Sequence, residues 1–223
     1  MPQVLPTPLR RNGYYHLDDQ RIYPSVTTIL KVLDKGFGFE WWMKNGVAEI
    51  ALAHPELSAK EVLAKFTIEG KGAAIRGTAV HAAIEHYIEH GSMPVVEEAY
   101  LPYLSAFESW VNATNPKFVD QEMLTYSDTY KYAGRCDCVA ELNGETWILD
   151  WKTNDKGNLY SSVGIQLSGY RHALEEMGVH KATRMGALCL TCHGEFVFKE
   201  FTSTIDEFIN IYKVWEWTKN QGV

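Results

Sequence analysis

The chain has 223 residues, 46% of them hydrophobic, enough for one domain with a sizeable core. Its formal charge of −7 excludes a histone-like or arm-type nucleic-acid binder, which carries a strong basic excess. Nucleic acid itself stays open, since a local groove can be positive and a metal can supply positive charge. The opening "MPQVLPTPLRRNGYYHLDD" has neither the apolar core nor the cleavage site of a secretory signal. Pro2, Pro6 and Pro8 argue against a helical mitochondrial transit peptide. No window reaches the apolar length of a membrane span. Four cysteines in two close pairs, with no secretory signal, imply a reducing cytoplasm (that of a bacterial host if phage-encoded) and no disulfides.

In chain order, "GYYHLDDQRIY" reads as a short hairpin turning at Asp18-Asp19. "PSVTTILKVLD" starts a helix with Ser25 as N-cap, and "FGFEWWMKNGVAEIALAH" is a second helix. Ser58 followed by Glu61 is a capping-box pattern that opens a third. "GAAIRGTAVHAAIEHYIEHG" reads as a separate strong helix ended by Gly91, and "VEEAYLPYLSAFESWVNA" as a further one that tolerates Pro102. Past Asn115-Pro116 the pattern changes to strands at about 118–127, 131–142 and 145–152, then a helix over 161–177. Strands at about 184–191 and 195–202 and a helix at about 204–219 complete it. The expected architecture is α/β: a mainly helical lobe over 1–115 and a sheet core with flanking helices over 116–223, together one unit.

The stretch "GRCDCVAELNGETWILDWKTN" carries the chemistry. Asn143-Gly144 is the strongest short hairpin signal, because a type I′ turn needs φ > 0 at both central residues. A two-residue loop pairs Leu142 with Glu145, Ala140 with Trp147, Cys138 with Leu149, and Asp137 with Asp150. Alternation then gives a core face of Cys136, Cys138, Ala140, Leu142, Trp147, Leu149 and Trp151. The other face carries Asp137, Val139, Ile148, Asp150 and Lys152. Directly opposed residues have Cβ atoms roughly 4.5–5.5 Å apart. Two bare carboxylates at about 4 Å repel by roughly 4 kcal/mol at an effective dielectric of 20. A divalent cation between them turns repulsion into attraction, and carboxylate oxygens are the ligands Mg²⁺ and Mn²⁺ prefer. Lys152, on the same face, can position or activate a water. The bland alternative is an Asp–Lys surface pair with the second aspartate solvated.

These residues, with "PSVTTIL", "GTAVHAAIE", "QEMLTY" and "QLSGY" in order, resemble the PD-(D/E)XK nuclease superfamily. The likeness is to its RecB-like branch, in particular the exonucleases of mitochondrial genome maintenance and of phages. The resemblance implies an αβββαβ core (a restriction-endonuclease-like fold) and metal-dependent phosphodiester hydrolysis with Mg²⁺ or Mn²⁺ as cofactor. It implies Asp137 and Asp150 as metal ligands, the carbonyl of Trp151 as a further ligand, and Lys152 as the catalytic lysine. His81 matches the helix histidine that completes the metal site. Gln166 and Tyr170 match the family's Q-x-x-x-Y beside that site. The family's Glu is often found where this chain has Asp150, which is still a carboxylate. DNA, single-stranded with free ends, is the partner expected, in phage or bacterial replication, recombination or repair. A structure-specific endonuclease of the same fold and an inactive fold-mate that binds DNA or a partner protein are the alternatives.

Other residues divide between two readings. Gly77, His81 and Glu85 share one helix face, where Gly77 would let the helix approach the sheet. Glu122 lies on the neighbouring strand, either as site residue or as ordinary strand residue. Thr153 can donate to a phosphate or cap the strand end; Arg76 and Arg171 are candidate phosphate contacts. Cys136-x-Cys138 and Cys189-x-x-Cys192 invite a zinc or iron–sulfur reading, but both pairs lie in apolar strands and read as buried thiols. Phe37, Phe39, Trp41 and Trp42 form an aromatic cluster, either core or a stacking surface for unpaired bases.

Overall fold

A computed structural model describes residues 9–18, 20–34 and 37–221, with the side chains of 34 and 37–43 outside that description. The aromatic cluster at 37–42 and one residue of the first turn, Asp19, therefore lie outside the described parts. A small antiparallel sheet comes first: β1 (Leu9–Arg11), β2 (Tyr14–His16) and β3 (Ile22–Pro24). Helices α1 (Val26–Asp34), α2 (Phe37–Ala53), α3 (Ala59–His90) and α4 (Leu101–Thr114) follow. Then come β4 (Lys117–Ser127), β5 (Tyr132–Leu142), β6 (Glu145–Thr153), α5 (Ser161–Glu176), β7 (Arg184–Leu190), β8 (Phe196–Phe201) and α6 (Ile205–Asn220). The main sheet runs β4-β5-β6-β7-β8 and is mixed: β6 and β7 are parallel, joined through α5, and the other pairs are antiparallel.

Helices cover both faces of that sheet. On one face Val26, Tyr132, Val139, Ile148, Leu167, Tyr170 and Phe208 join α1, α5 and α6 to the strands. On the other Val80, Phe107, Trp110, Cys138, Leu149 and Trp151 join α3 and α4 to them. This double covering explains one departure from the expected faces. Val139 and Ile148 are fully buried, not exposed, because central strands sandwiched between helices are apolar on both sides. Cys136 belongs with Val139 and Ile148 rather than with Cys138. The two-residue alternation slips at Asp137, where regular pairing with β6 ends.

A second departure is α3, a single helix of 32 residues where two were expected. Its ends match the expectation: a capping box at Ser58 and Glu61, and Gly91 in the left-handed region with φ 73°. Gly70 and Gly72 do not break it; each costs about 1 kcal/mol against alanine, but neither removes a backbone donor as proline would. Ser25 caps α1 as expected, accepting the Thr28 N–H at 3.1 Å. Pro102 falls in the first turn of α4, where its missing N–H has no partner to lose.

Gly134 shows how tightly α5 and α1 close on β5. A Cβ there would collide with the ring of Tyr170 and come within 3.3 Å of Val26 Cγ2. Gly134→Ala is expected to cost about 1–3 kcal/mol by overpacking and to lower the melting temperature by several degrees. An unchanged calorimetric melt would show that Tyr170 yields freely.

Candidate active site

The geometry begins at the β5–β6 turn, where Asn143 and Gly144 take φ of 52° and 80°, as a type I′ turn requires. The register follows: Leu142 pairs with Glu145, Ala140 with Trp147 and Cys138 with Leu149. One step further the ladder gives way to side-chain chemistry. Asp137 Oδ2 accepts the Trp151 backbone N–H at 2.9 Å. Asp150, on the facing strand, is 1% exposed and is held from two sides. Gln166 Nε2 donates to its Oδ1 at 2.8 Å, and Lys152 Nζ lies 2.6 Å from its Oδ2. Gln166 also donates to the Tyr170 hydroxyl at 3.2 Å, so the i, i+4 neighbour on α5 steadies the amide that holds the carboxylate.

Helix α3 brings His81 to the same point. Its Nε2 is 2.8 Å from the Trp151 carbonyl oxygen, donating in the tautomer protonated there, and its Nδ1 is 3.6 Å from Asp137 Oδ2. Trp151 therefore offers the site its backbone, while its indole packs edge-on against Phe107 and Trp110 in the opposite core. Strand β4 delivers Glu122, whose φ of 48° lies in the left-handed region that non-glycine residues seldom occupy. Such backbone strain is concentrated at functional sites. Glu122 Oε2 is 3.5 Å from an Arg135 nitrogen. His81, Glu122 and Asp137 each present a ligand atom, all within 4.8 Å of one another.

Electrostatics favour a cation here. Burial, then the neighbouring Asp150, pushes the Asp137 carboxyl well above the usual carboxylate range. Burial likewise raises Glu122, against the pull of Arg135. Burial works against the Lys152 ammonium, yet Asp150 and Asp137 outweigh it and hold its pKa above the ordinary value. Two carboxylates, an imidazole and a free carbonyl lone pair fit a hard divalent cation that takes oxygen ligands.

These groups open into a cavity of about 640 Å³. His81, Glu85, Glu122, Asp137, Asp150, Lys152, Gln166 and Tyr170 line it, so most of the expected site residues meet in one place. Thr153 and Arg76 are not among the lining residues. Arg76 lies over the Tyr103 ring at 5.2 Å and 3.8 Å from Asp155, tying α3 to α4 and to the loop after β6. Gly77 lines the cavity, but a Cβ there would make only ordinary contact with Thr153, so the helix approach does not demand glycine. Among the lining residues to which the sequence assigns no site role are Arg10, Tyr15, Thr27 and Arg135. Arg10 donates to Ser25 Oγ at 3.3 Å and Thr27 Oγ1 at 3.0 Å, so it enters through the small sheet. Arg135 stands inside the "GRCD" stretch and was legible by position alone. Cys136, Cys138 and Cys189 are buried in the strands, and Cys192 is half-buried with Sγ 3.6 Å from His193.

The chain is similar to mitochondrial genome maintenance exonuclease 1 of Mus musculus, 26% identical over 165 residues. The match covers 68% of this chain and 40% of that protein, so the chain spans less than half of the relative's length. No family model matches. A solved structure, that of SSO0001, aligns over 76% of this chain and 67% of its own, at 17% identity and a TM-score of 0.37. No helix among the described residues is long and apolar enough to cross a membrane.

Proposed function

We propose that the chain is a metal-dependent deoxyribonuclease of the PD-(D/E)XK type, RecB-like branch, acting as an exonuclease on single-stranded ends. The observation that carries this reading is the convergence of Asp137, Asp150 and Lys152 across one hairpin with His81 beside the Trp151 carbonyl. The similarity to a protein named an exonuclease supports it. His81, Asp137, Asp150 and the Trp151 carbonyl, with Glu122 beside them, would hold Mg²⁺ or Mn²⁺. A cation bound there supplies Lewis acidity toward phosphate and lowers the pKa of bound water. Lys152, anchored by Asp150, orients a water or meets the charge that grows on the phosphate. Gln166, itself bonded to Tyr170, fixes Asp150 in place. The helical first half and the sheet-bearing second half act together, since His81 comes from one and the carboxylates from the other.

The acidic chain lacks the wide basic surface that grips duplex by counterion release. Linear single-stranded DNA is therefore expected to be degraded faster than blunt duplex, and a closed single-stranded circle to resist. EDTA is expected to abolish cleavage, and Mg²⁺ or Mn²⁺ to restore it. End-labelled strands with and without metal, beside a labelled circle, test all of this in one gel. Cleavage undiminished in chelator would refute the metal site; rapid cutting of the circle would identify an endonuclease of the same chemistry.

A further inference from the structure

A second cavity, of about 550 Å³, lies between the small sheet and α6. It shares no described lining residue with the first, yet a thin wall separates them. Tyr14 and its register partner Pro24 face the second cavity, while the next residues along each strand, Tyr15 and Ser25, face the first. Its floor is aromatic. The Tyr212 and Trp215 rings stack with centroids 5.8 Å apart and 17° between planes, and Tyr14 leans on Trp215 at 6.5 Å and 53°. None of these three side chains is fully buried.

Cations surround that floor. Lys219 Nζ lies 5.0 Å from the Tyr14 ring centre and 5.4 Å from that of Trp215, and donates to the Tyr14 hydroxyl at 2.7 Å. Arg21 and Lys131 line the same space, against Glu216 as the one acid among the described lining residues. Arg21 is partly neutralised by Asp18 at 2.6 Å and Asp128 at 3.3 Å. Lys131 and Lys219 make no ion pair with a described residue. Asp18 and Asp128 thus offset Arg21, and the positive charge left facing the cavity is that of the two lysines.

Partly exposed aromatic rings beside ammonium groups that form no ion pair with a described residue match one ligand chemistry: unpaired bases with their phosphates. Aromatic faces accept any base, and lysines neutralise backbone charge without fixing a sequence. Duplex hides its base faces and cannot use such a floor. We propose that this second cavity is an additional binding site for single-stranded nucleic acid, holding a part of the strand remote from the carboxylates. The inference rests on the nuclease reading for its biological use, but its binding test does not.

The test measures fluorescence anisotropy of labelled oligothymidylates in EDTA, short (about four nucleotides) and long (about twenty), the lower and upper sides of single-strand site sizes. It compares the full chain with Lys219→Glu, Trp215→Ala and the conservative Trp215→Phe. Lys219 is exposed but bonds Tyr14 across to the small sheet; circular dichroism melts check that all three variants keep the fold. The expected result is a loss of about tenfold or more in affinity for the long strand with Lys219→Glu and Trp215→Ala. The short strand should lose little, and Trp215→Phe should retain most of the affinity. With Mg²⁺ both variants should still cleave short substrate. Unchanged long-strand affinity overturns the second site and leaves the nuclease reading intact. An equal loss for both lengths overturns it as a separate site, as does equal competition from a polyglutamate peptide. No cleavage by the unaltered chain with any metal refutes the nuclease reading, while the anisotropy still decides this site.

Discussion

Lys152→Ala will keep its metal and lose its turnover, by about 10²-fold or more, the scale for removing one electrostatic group from a reacting centre. Lys152 offers no cation ligand, and its backbone stays in the β6–β7 ladder opposite Cys189. What the structure adds is the cost to Asp150. That carboxylate is almost wholly buried, and its Oδ2 has the Lys152 ammonium at 2.6 Å and, among the described residues, no hydrogen-bond partner besides. Removing the ammonium leaves a buried negative oxygen uncompensated, at about 1–3 kcal/mol. In EDTA the variant should therefore melt several degrees below the unaltered chain. Added Mn²⁺ should recover more of that loss than it adds to the unaltered chain, because the cation takes over the attraction the lysine supplied. Calorimetric Mn²⁺ titration, melts with and without metal, and single-turnover cleavage separate these effects. Near-normal turnover would show that the hairpin's lysine is a structural counter-ion and nothing more.

The elements that local physics dictates were readable in advance. Strand and helix bounds from β4 to α6 lie within one or two residues of the expectation, because Asn143-Gly144 admits one tight turn and alternating apolar residues admit one register. The Ser58–Glu61 box and Gly91 fixed the two ends of α3. What lay between them was not readable, since whether Gly70 and Gly72 interrupt a helix depends on its surroundings, not on propensity alone. The meeting of His81 with the hairpin followed from the family resemblance; helix periodicity gave only its face. The sequence does not assign the sides of Arg10 and Arg135, for different reasons. Arg10 reaches the cavity through tertiary placement of the small sheet, with Ser25 and Thr27 as its anchors. Arg135 adjoins a slip in strand alternation, and alternation is what would have assigned its side. The same slip moved Cys136 to the other core.

Asp137→Asn and Asp150→Asn will both abolish most cleavage and weaken Mn²⁺ binding, yet without metal they will move stability in opposite directions. Burial first, and Asp150 second, raise the Asp137 carboxyl above its unfolded value. The sign follows from linkage. An acid whose folded pKa is raised binds its proton more tightly when folded, so stability falls as pH climbs from the unfolded pKa, about 3.9, toward the folded one. At neutral pH a carboxyl at this buried position thus burdens the fold, and a neutral amide removes that burden. The amide oxygen still accepts the Trp151 N–H that Oδ2 accepts at 2.9 Å. Asp137→Asn should melt at or above the unaltered chain at pH 7 in EDTA, with the difference shrinking toward pH 4, where the carboxyl is protonated. Asp150 is placed otherwise: it is the counter-ion of Lys152 and the acceptor of Gln166. Asp150→Asn strands that ammonium in a site built for a pair and should lose about 1–3 kcal/mol. Melts of both variants in EDTA across that pH range make the comparison. If Asp137→Asn melts well below the unaltered chain at neutral pH, its charge serves the fold itself and is not held in reserve for a cation.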